Sequence, residues 1–222
     1  MFAIKNAIIE KLLRKAKVQT DTQELKITYS GEGIINGEID LESFATSILN
    51  FGKAIQVIKE SLEIEEKLDV KIIATKEGSF QVDLVLATQG MWQSFKGLFA
   101  SEGASAITNI MSMLGIGISG LGGLFALYKH LGGKEPKNIE EKGNIVLIVD
   151  DGGIALDFAK KVVEIYQNPK FREYMENFIK NPLDSDEIDV ISVKYNNDVL
   201  EIPKSDKDFY KKTFGQKNLI CR

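Results

Sequence analysis

Hydrophobic and polar residues follow two regular spacings along the chain, and each spacing predicts one kind of element. Apolar and polar residues alternate in residues 24–30, which is typical of a half-buried strand. From residue 41 to residue 58 apolar residues recur every three or four positions, which predicts a helix with Asp40 as its N-cap. Alternation returns in residues 70–74 and 80–86, on either side of a turn signal, and predicts a β-hairpin. The first part of the chain is therefore expected to be a small sheet covered by a helix.

The C-terminal half repeats this order of elements. Residues 144–149 form a continuous apolar run that predicts a strand, and helical spacing follows in residues 154–166 and 170–180. Residues 188–195 and 198–203 predict two short strands joined by a pair of asparagines. The predicted fold class is α+β, with two small strand–helix–hairpin units that flank a long glycine-rich apolar helix or helical hairpin.

The patterns divide the chain into six parts. These are a basic amphipathic helix (1–20), an α+β domain (21–101), an apolar glycine-rich helical segment (102–133), a linker (134–143), a second α+β unit (144–205) and a tail (206–222). The N-terminal helix either packs on the domain or lies on an anionic membrane surface. The tail is expected to be a frayed end or the remnant of a further C-terminal domain.

Residues 103–128 contain no charged side chain, although 27% of the chain is charged. On a helix, this run would present two faces. Large apolar residues form one face: Ile107, Met111, Leu114, Ile118, Leu121, Phe125 and Tyr128. Small residues form the other: Thr108, Ser112, Gly115, Ser119, Gly122, Gly123 and Ala126. Small residues let helix backbones approach closely, so this second face is predicted to pack against another helix, in the same chain or in an oligomer.

Three interpretations of this run are open from sequence. In the first, one helix over residues 104–128 spans or lies on a membrane, with Trp92, Tyr128 and Lys129 as interface anchors. In the second, two short helices form a buried hairpin that breaks between Gly115 and Gly123. In the third, a helix outside the membrane self-associates through its small face. An isolated helix in water is unfavourable, because each of the six glycines costs about 0.8–1 kcal/mol relative to alanine.

Charge and composition exclude several classes of function. The net charge of −4 argues against a general nucleic-acid binder, which normally carries a basic surface. Cys221 is the only cysteine and His130 the only histidine, so neither an intramolecular disulfide nor a cysteine- or histidine-based metal centre is expected. No cofactor is predicted, and the expected location is the cytoplasm or the cytoplasmic face of the inner membrane.

Two short motifs suggest chemistry. Residues 115–120 match the G-x-G-x-x-G pattern, but no strand precedes them, so a dinucleotide site is not predicted. Asp150 and Asp151 follow a predicted strand and either hold a Mg²⁺ ion or form an acidic turn before a helix. His130 beside Lys129 suits the negative end of a helix dipole.

Four segments carry a resemblance to a known family: GSFQVDLVL, LFASEGASAITNIMSMLGIG, GGLFALYKHLGGKEPKNI and NPLDSDEIDVISV. Over about residues 25–200 the chain resembles an uncharacterised family of bacterial and prophage-encoded proteins, whose members continue into another β-rich domain. The resemblance implies no catalytic residue and makes a role in conflict between phage and host conceivable.

The predicted function is a non-enzymatic protein that associates with a membrane, or with itself as a homo-oligomer, through the central helix. A host or phage protein is a further expected partner, and nucleic acid is not expected. One alternative is a protein-interaction module whose central segment is a buried helical hairpin. Another is a magnesium-dependent enzyme that uses Asp150 and Asp151.

Overall fold

The computed structural model describes residues 20–34, 39–65, 67–73, 80–89, 106–117 and 122–213. Its strands are β1 (Thr20–Ser30), β2 (Lys67–Ile73), β3 (Phe80–Gln89), β4 (Asn138–Lys142), β5 (Ile145–Val149), β6 (Ala155–Ala159), β7 (Val190–Tyr195) and β8 (Asp198–Pro203). Its helices are α1 (Leu41–Ser61), α2 (Ala106–Leu114), α3 (Leu124–Leu131), α4 (Lys160–Gln167), α5 (Pro169–Met175) and α6 (Asn181–Asp184). A π-helical turn (Glu176–Lys180) joins α5 to α6, and a 3-10 helix (Lys204–Tyr210) follows β8. The predicted α+β class is confirmed.

A five-stranded antiparallel sheet in the order β2-β3-β1-β7-β8 forms one layer of the fold. β1 is the central strand and pairs with β3 on one edge and with β7 on the other, where Leu25 lies opposite Tyr195. Both predicted hairpins are confirmed, and Asn196 takes the positive φ of 54° that suits the turn of the second. Strands from residues 21–101 and from residues 144–205 therefore lie in one sheet, where β1 pairs with β7.

The helix predicted after Asp40 is confirmed as α1. The Asp40 carboxylate accepts a hydrogen bond of 2.8 Å from the backbone N–H of Ser43, which caps the helix. The buried face of α1 includes Ile48, Phe51, Ala54, Ile55 and Ile58. On the same face the Ser47 hydroxyl lies 2.8 Å from the Tyr29 hydroxyl and donates to the carbonyl of Phe178 at 2.7 Å. Ser47 thus links α1 to the sheet and to the π-helical turn.

The helix predicted at residues 170–180 is confirmed as part of a longer helical run. Its first residue, Pro169, follows Asn168, whose side chain accepts hydrogen bonds from the N–H groups of Lys170 and Phe171. The run continues through the π-helical turn into α6. Its fully buried apolar residues are Phe171, Met175, Phe178, Ile179 and Leu183.

A second sheet has three antiparallel strands in the order β4-β5-β6. β5 confirms the strand predicted at residues 144–149, but β4 lies inside the predicted linker at 134–143. The helix predicted over residues 154–166 is wrong in its first part, which forms β6 before α4 begins. Ile154 and Phe158 are four residues apart, and an even spacing fits strand alternation as well as a helical turn.

Candidate functional site

The central apolar segment consists of two short helices, α2 and α3. Gly115 ends α2 with a φ of 91°, a conformation that costs glycine little. The N–H of Gly115 bonds to the carbonyl of Ser112, and the N–H of Ile116 bonds to that of Met111, which together form a Schellman cap. One continuous helix over residues 104–128 is therefore wrong. The break falls where the helical-hairpin interpretation placed it.

The two helices meet through glycine backbone. A methyl group on Gly123 would lie 2.3 Å from Cα of Gly115, so no side chain fits between the end of α2 and the start of α3. The close approach that the small residues predict is therefore found within one chain.

The other small residues have different surroundings. Ser112 is buried and donates to the carbonyl of Thr108 at 2.6 Å, Gly122 lies against the ring of Phe158, and Ala126 is exposed. Ser119 lies outside the described residues. A role for this face in an oligomer stays a prediction.

The large apolar face belongs to the protein core. Its described members are Ile107, Met111, Leu114, Phe125 and Tyr128, and each is at most 4% exposed. Among the residues that the structure describes, no helix combines the length and apolar character needed to cross a membrane. Tyr128 is fully buried, so its prediction as a membrane-interface anchor is wrong, whereas Lys129 is exposed. Trp92 lies outside the described residues.

Sequence reasoning missed a buried cluster around Arg172. The Arg172 side chain is 1% exposed, and its guanidinium lies 5.4 Å from the ring centre of Tyr128 and 4.9 Å from that of Tyr166. Tyr210 adds a third ring, 4.7 Å from Tyr128. Burial raises the pKa of the Tyr128 and Tyr210 hydroxyls far above the ordinary value, so both stay neutral. Helical spacing offered one signal, because Arg172 lies three residues before the buried Met175.

Hydrogen bonds from Arg172 connect residues 211 and 212 to the core. Its guanidinium donates to the carbonyl of Gly133 at 3.0 Å, of Lys211 at 2.6 Å and of Lys212 at 3.1 Å. The Tyr166 hydroxyl donates to the carbonyl of Lys134 nearby, at 2.8 Å. Hydrogen bonds to three carbonyls and contacts with two aromatic rings offset part of the cost of burying this charge, which gives the cluster a structural explanation.

The Asp150–Asp151 pair forms a turn between β5 and β6. One carboxylate oxygen of Asp150 accepts hydrogen bonds of 2.8 Å from the N–H groups of Gly152 and Ile154. Asp151 forms an exposed ion pair of 2.6 Å with Lys134. In the described part of the chain no group of three or more His, Cys, Asp or Glu side chains could hold a metal ion. The turn interpretation therefore fits the geometry, although a strand and not a helix follows it.

A pocket of about 220 Å³ lies between this turn and the end of α3. Its lining includes three lysines, Lys129, Lys134 and Lys137, and three carboxylates, Glu135, Asp150 and Asp151. These charges balance, so the pocket has no net charge that would select an ion. His130 also lines the pocket, and its side chain is 4% exposed, with Nε2 3.1 Å from the carbonyl oxygen of Ile148 and Nδ1 3.9 Å from the Asp150 carboxylate.

The three-stranded sheet displays exposed apolar side chains. Of the six large apolar residues that are strongly exposed in the described chain, three belong to this sheet or its turn: Ile139 (43%), Ile154 (60%) and Leu156 (43%). Ile154 and Leu156 are two residues apart and project from the same face of the β6 region. The other three are dispersed over α1 and β8: Leu41, Leu49 and Val199.

Ile154 and Leu156 form the candidate interaction surface. Exposed neighbours of this kind are typical of sites that bind another protein, whereas isolated exposed apolar residues are common on any surface. Comparison of the chain with protein-family models, curated proteins and solved structures gives no significant match.

Proposed function

We propose that this chain is a non-enzymatic protein-interaction module that binds another protein through Ile154 and Leu156 on its three-stranded sheet. The observation that carries the proposal is the exposure of these two adjacent side chains, at 60% and 43%. Burial of a fully exposed isoleucine or leucine side chain contributes about 1.5–3 kcal/mol, so the roughly half of each side chain that is still exposed here contributes about 0.7–1.5 kcal/mol on binding.

The geometry of the turn supports a structural role for the neighbouring acids. The hydrogen bonds from Gly152 and Ile154 to Asp150 hold the loop that presents Ile154. A short, preorganised loop loses little conformational entropy on binding. This arrangement favours the interaction module over the magnesium-dependent enzyme.

Association through the central segment is the weaker proposal. Its large apolar face lies in the core of the chain, and Gly115 and Gly123 are already in contact with each other. A membrane or a second copy would have to displace these contacts. The resemblance noted in the sequence makes a host or phage protein the expected partner.

The experiment is affinity capture with the full chain from a lysate of a bacterial host, followed by the same capture with Ile154→Lys. We expect the specific partner to be lost from the variant, because a lysine cannot be buried in an apolar contact without a large cost. Leu49→Lys is the matched control, because Leu49 is also 60% exposed but lies on α1. Equal capture by wild type and Ile154→Lys, with both folded, contradicts the proposed function.

A further inference from the structure

β4 lies at an edge of the three-stranded sheet, and among the described residues it pairs with β5 alone. All five of its residues are exposed. An exposed edge strand presents unpaired backbone groups that can accept another strand. The edge of β6 differs, because Gly122 forms a bridge to Phe158 there.

The turn between β4 and β5 determines which backbone groups face outward. Lys142 pairs with Ile145 across the two-residue turn at Gly143 and Asn144. In such a hairpin the pair next to the turn is hydrogen-bonded, and the bonding alternates along the strand. Ile139 and Glu141 therefore direct their N–H and C=O groups away from β5, towards the open edge.

The side chains along this edge form a short, ordered pattern. Ile139 is 43% exposed although its pairing partner in β5, Ile148, is fully buried. Lys137 and Glu141 stand two residues to either side of it, and each side chain is 56% exposed. A partner strand would therefore meet a cation, an apolar residue and an anion in succession.

We infer that β4 pairs with β4 of a second copy of this chain, antiparallel and centred on Ile139. A two-fold axis at this residue places Ile139 opposite Ile139 of the second copy, and it places Lys137 opposite Glu141 on both sides. Apolar and opposite-charge pairs across strands are favourable. Three facing pairs give about six backbone hydrogen bonds and join two sheets into one of six strands.

Neighbouring registers are less favourable. A two-fold axis at Glu140 or at Glu141 places a glutamate directly opposite itself, and like charges in that position are destabilising. Within the chain, Lys137 lies 4.0 Å from Asp151, and Glu141 lies 2.7 Å from Lys160. Exposed ion pairs of this kind contribute little to stability, so Lys137 and Glu141 lose little free energy when they leave these partners and pair across the dimer instead.

The experiment measures the mass of the full chain in solution over a wide range of concentration. Wild type is expected to reach about twice 24.7 kDa. Glu141→Lys places two like-charged pairs in the interface and is expected to raise the dimer dissociation constant about tenfold or more. The double variant Lys137→Glu, Glu141→Lys reverses both charges and is expected to restore the dimer.

Glu140→Lys is the matched control, because Glu140 faces the neutral Asn138 of the second copy in this register and its replacement should leave the dimer intact. A wild type that stays monomeric overturns the inference, as does a folded double variant without rescue or an equal effect of Glu140→Lys. Thermal unfolding of each variant verifies the fold. This result is independent of partner capture through Ile154, so either proposal can fail while the other stands.

Discussion

The backbone contact between Gly115 and Gly123 yields a quantitative prediction for the Gly123→Ala variant. The added Cβ would lie 2.3 Å from both Cα and N of Gly115 and 2.7 Å from the carbonyl carbon of Leu114. These are backbone atoms, so the clash is relieved only when α2 and α3 move apart. Overpacking of a core costs about 1–3 kcal/mol, and a clash with backbone belongs at the upper end, so we expect a loss of about 3 kcal/mol.

Gly52→Ala in α1 is the matched control, since the same methyl group there meets no atom within 4 Å. Alanine in a helix interior is favoured over glycine by about 0.5–1 kcal/mol, so this variant should gain stability. In a chain of this size 1 kcal/mol shifts the Tm by about 2–4 °C, which makes the expected loss for Gly123→Ala about 6–12 °C. Thermal unfolding followed by circular dichroism measures both. An unchanged Tm for Gly123→Ala would refute the backbone contact.

Three further predictions follow from the buried polar groups and the β5–β6 turn. Arg172→Met leaves three carbonyls without their donor, so we expect the free energy of unfolding to fall by about 3–5 kcal/mol and amide exchange in residues 204–213 to become faster. Unchanged exchange would contradict the role of Arg172 in holding this segment against the core. Burial raises the pKa of three tyrosine hydroxyls: Tyr29, Tyr128 and Tyr210. Their contribution to stability is complete below about pH 10 and is lost above it, by up to about 1.4 kcal/mol per pH unit for each, because only the unfolded state ionises there. Urea unfolding between about pH 9 and 11 measures this slope, and phenolate absorbance that appears before unfolding would oppose it. Asp150→Ala removes the acceptor of two backbone N–H groups and should lower the free energy of unfolding by about 1–2 kcal/mol. Asp151→Ala removes only an exposed ion pair and should lower it by less than about 0.5 kcal/mol. Equal losses in urea unfolding would contradict the role of Asp150 in stabilising the turn.

Elements with strong local signals are predictable from this sequence. The apolar spacing after Asp40 identifies α1 and its cap, and the paired asparagines mark the turn of the β7–β8 hairpin. The continuous apolar run of β5 is equally clear. In each case the hydrogen bonds that define the element lie between residues that are close in sequence, so a short window contains the whole signal.

Other features were not predictable from a short window of sequence. β4 is joined to β5 by a two-residue turn, but it is short and carries three charged residues, so its composition resembles that of a linker. A charged residue such as Arg172 is normally expected at a surface. Its burial was not predictable, because the carbonyls that accept its hydrogen bonds belong to Gly133 and to the segment after Tyr210, which are distant in sequence. The candidate surface at Ile154 was also missed. Ile154 fits the apolar spacing of a helix, which suggested that its side chain is buried, but it is exposed.

The central position of β1 has a consequence for synthesis of the chain. β1 emerges early from the ribosome, but its partner β7 is separated from it by most of the sequence. At about 5–20 residues per second, one edge of β1 waits on the order of 10–30 s for that partner. During this interval the nascent chain displays an unpaired strand, which is a template for aggregation and a target for chaperones. Any fragment that stops before β7 leaves this edge of β1 without its partner strand.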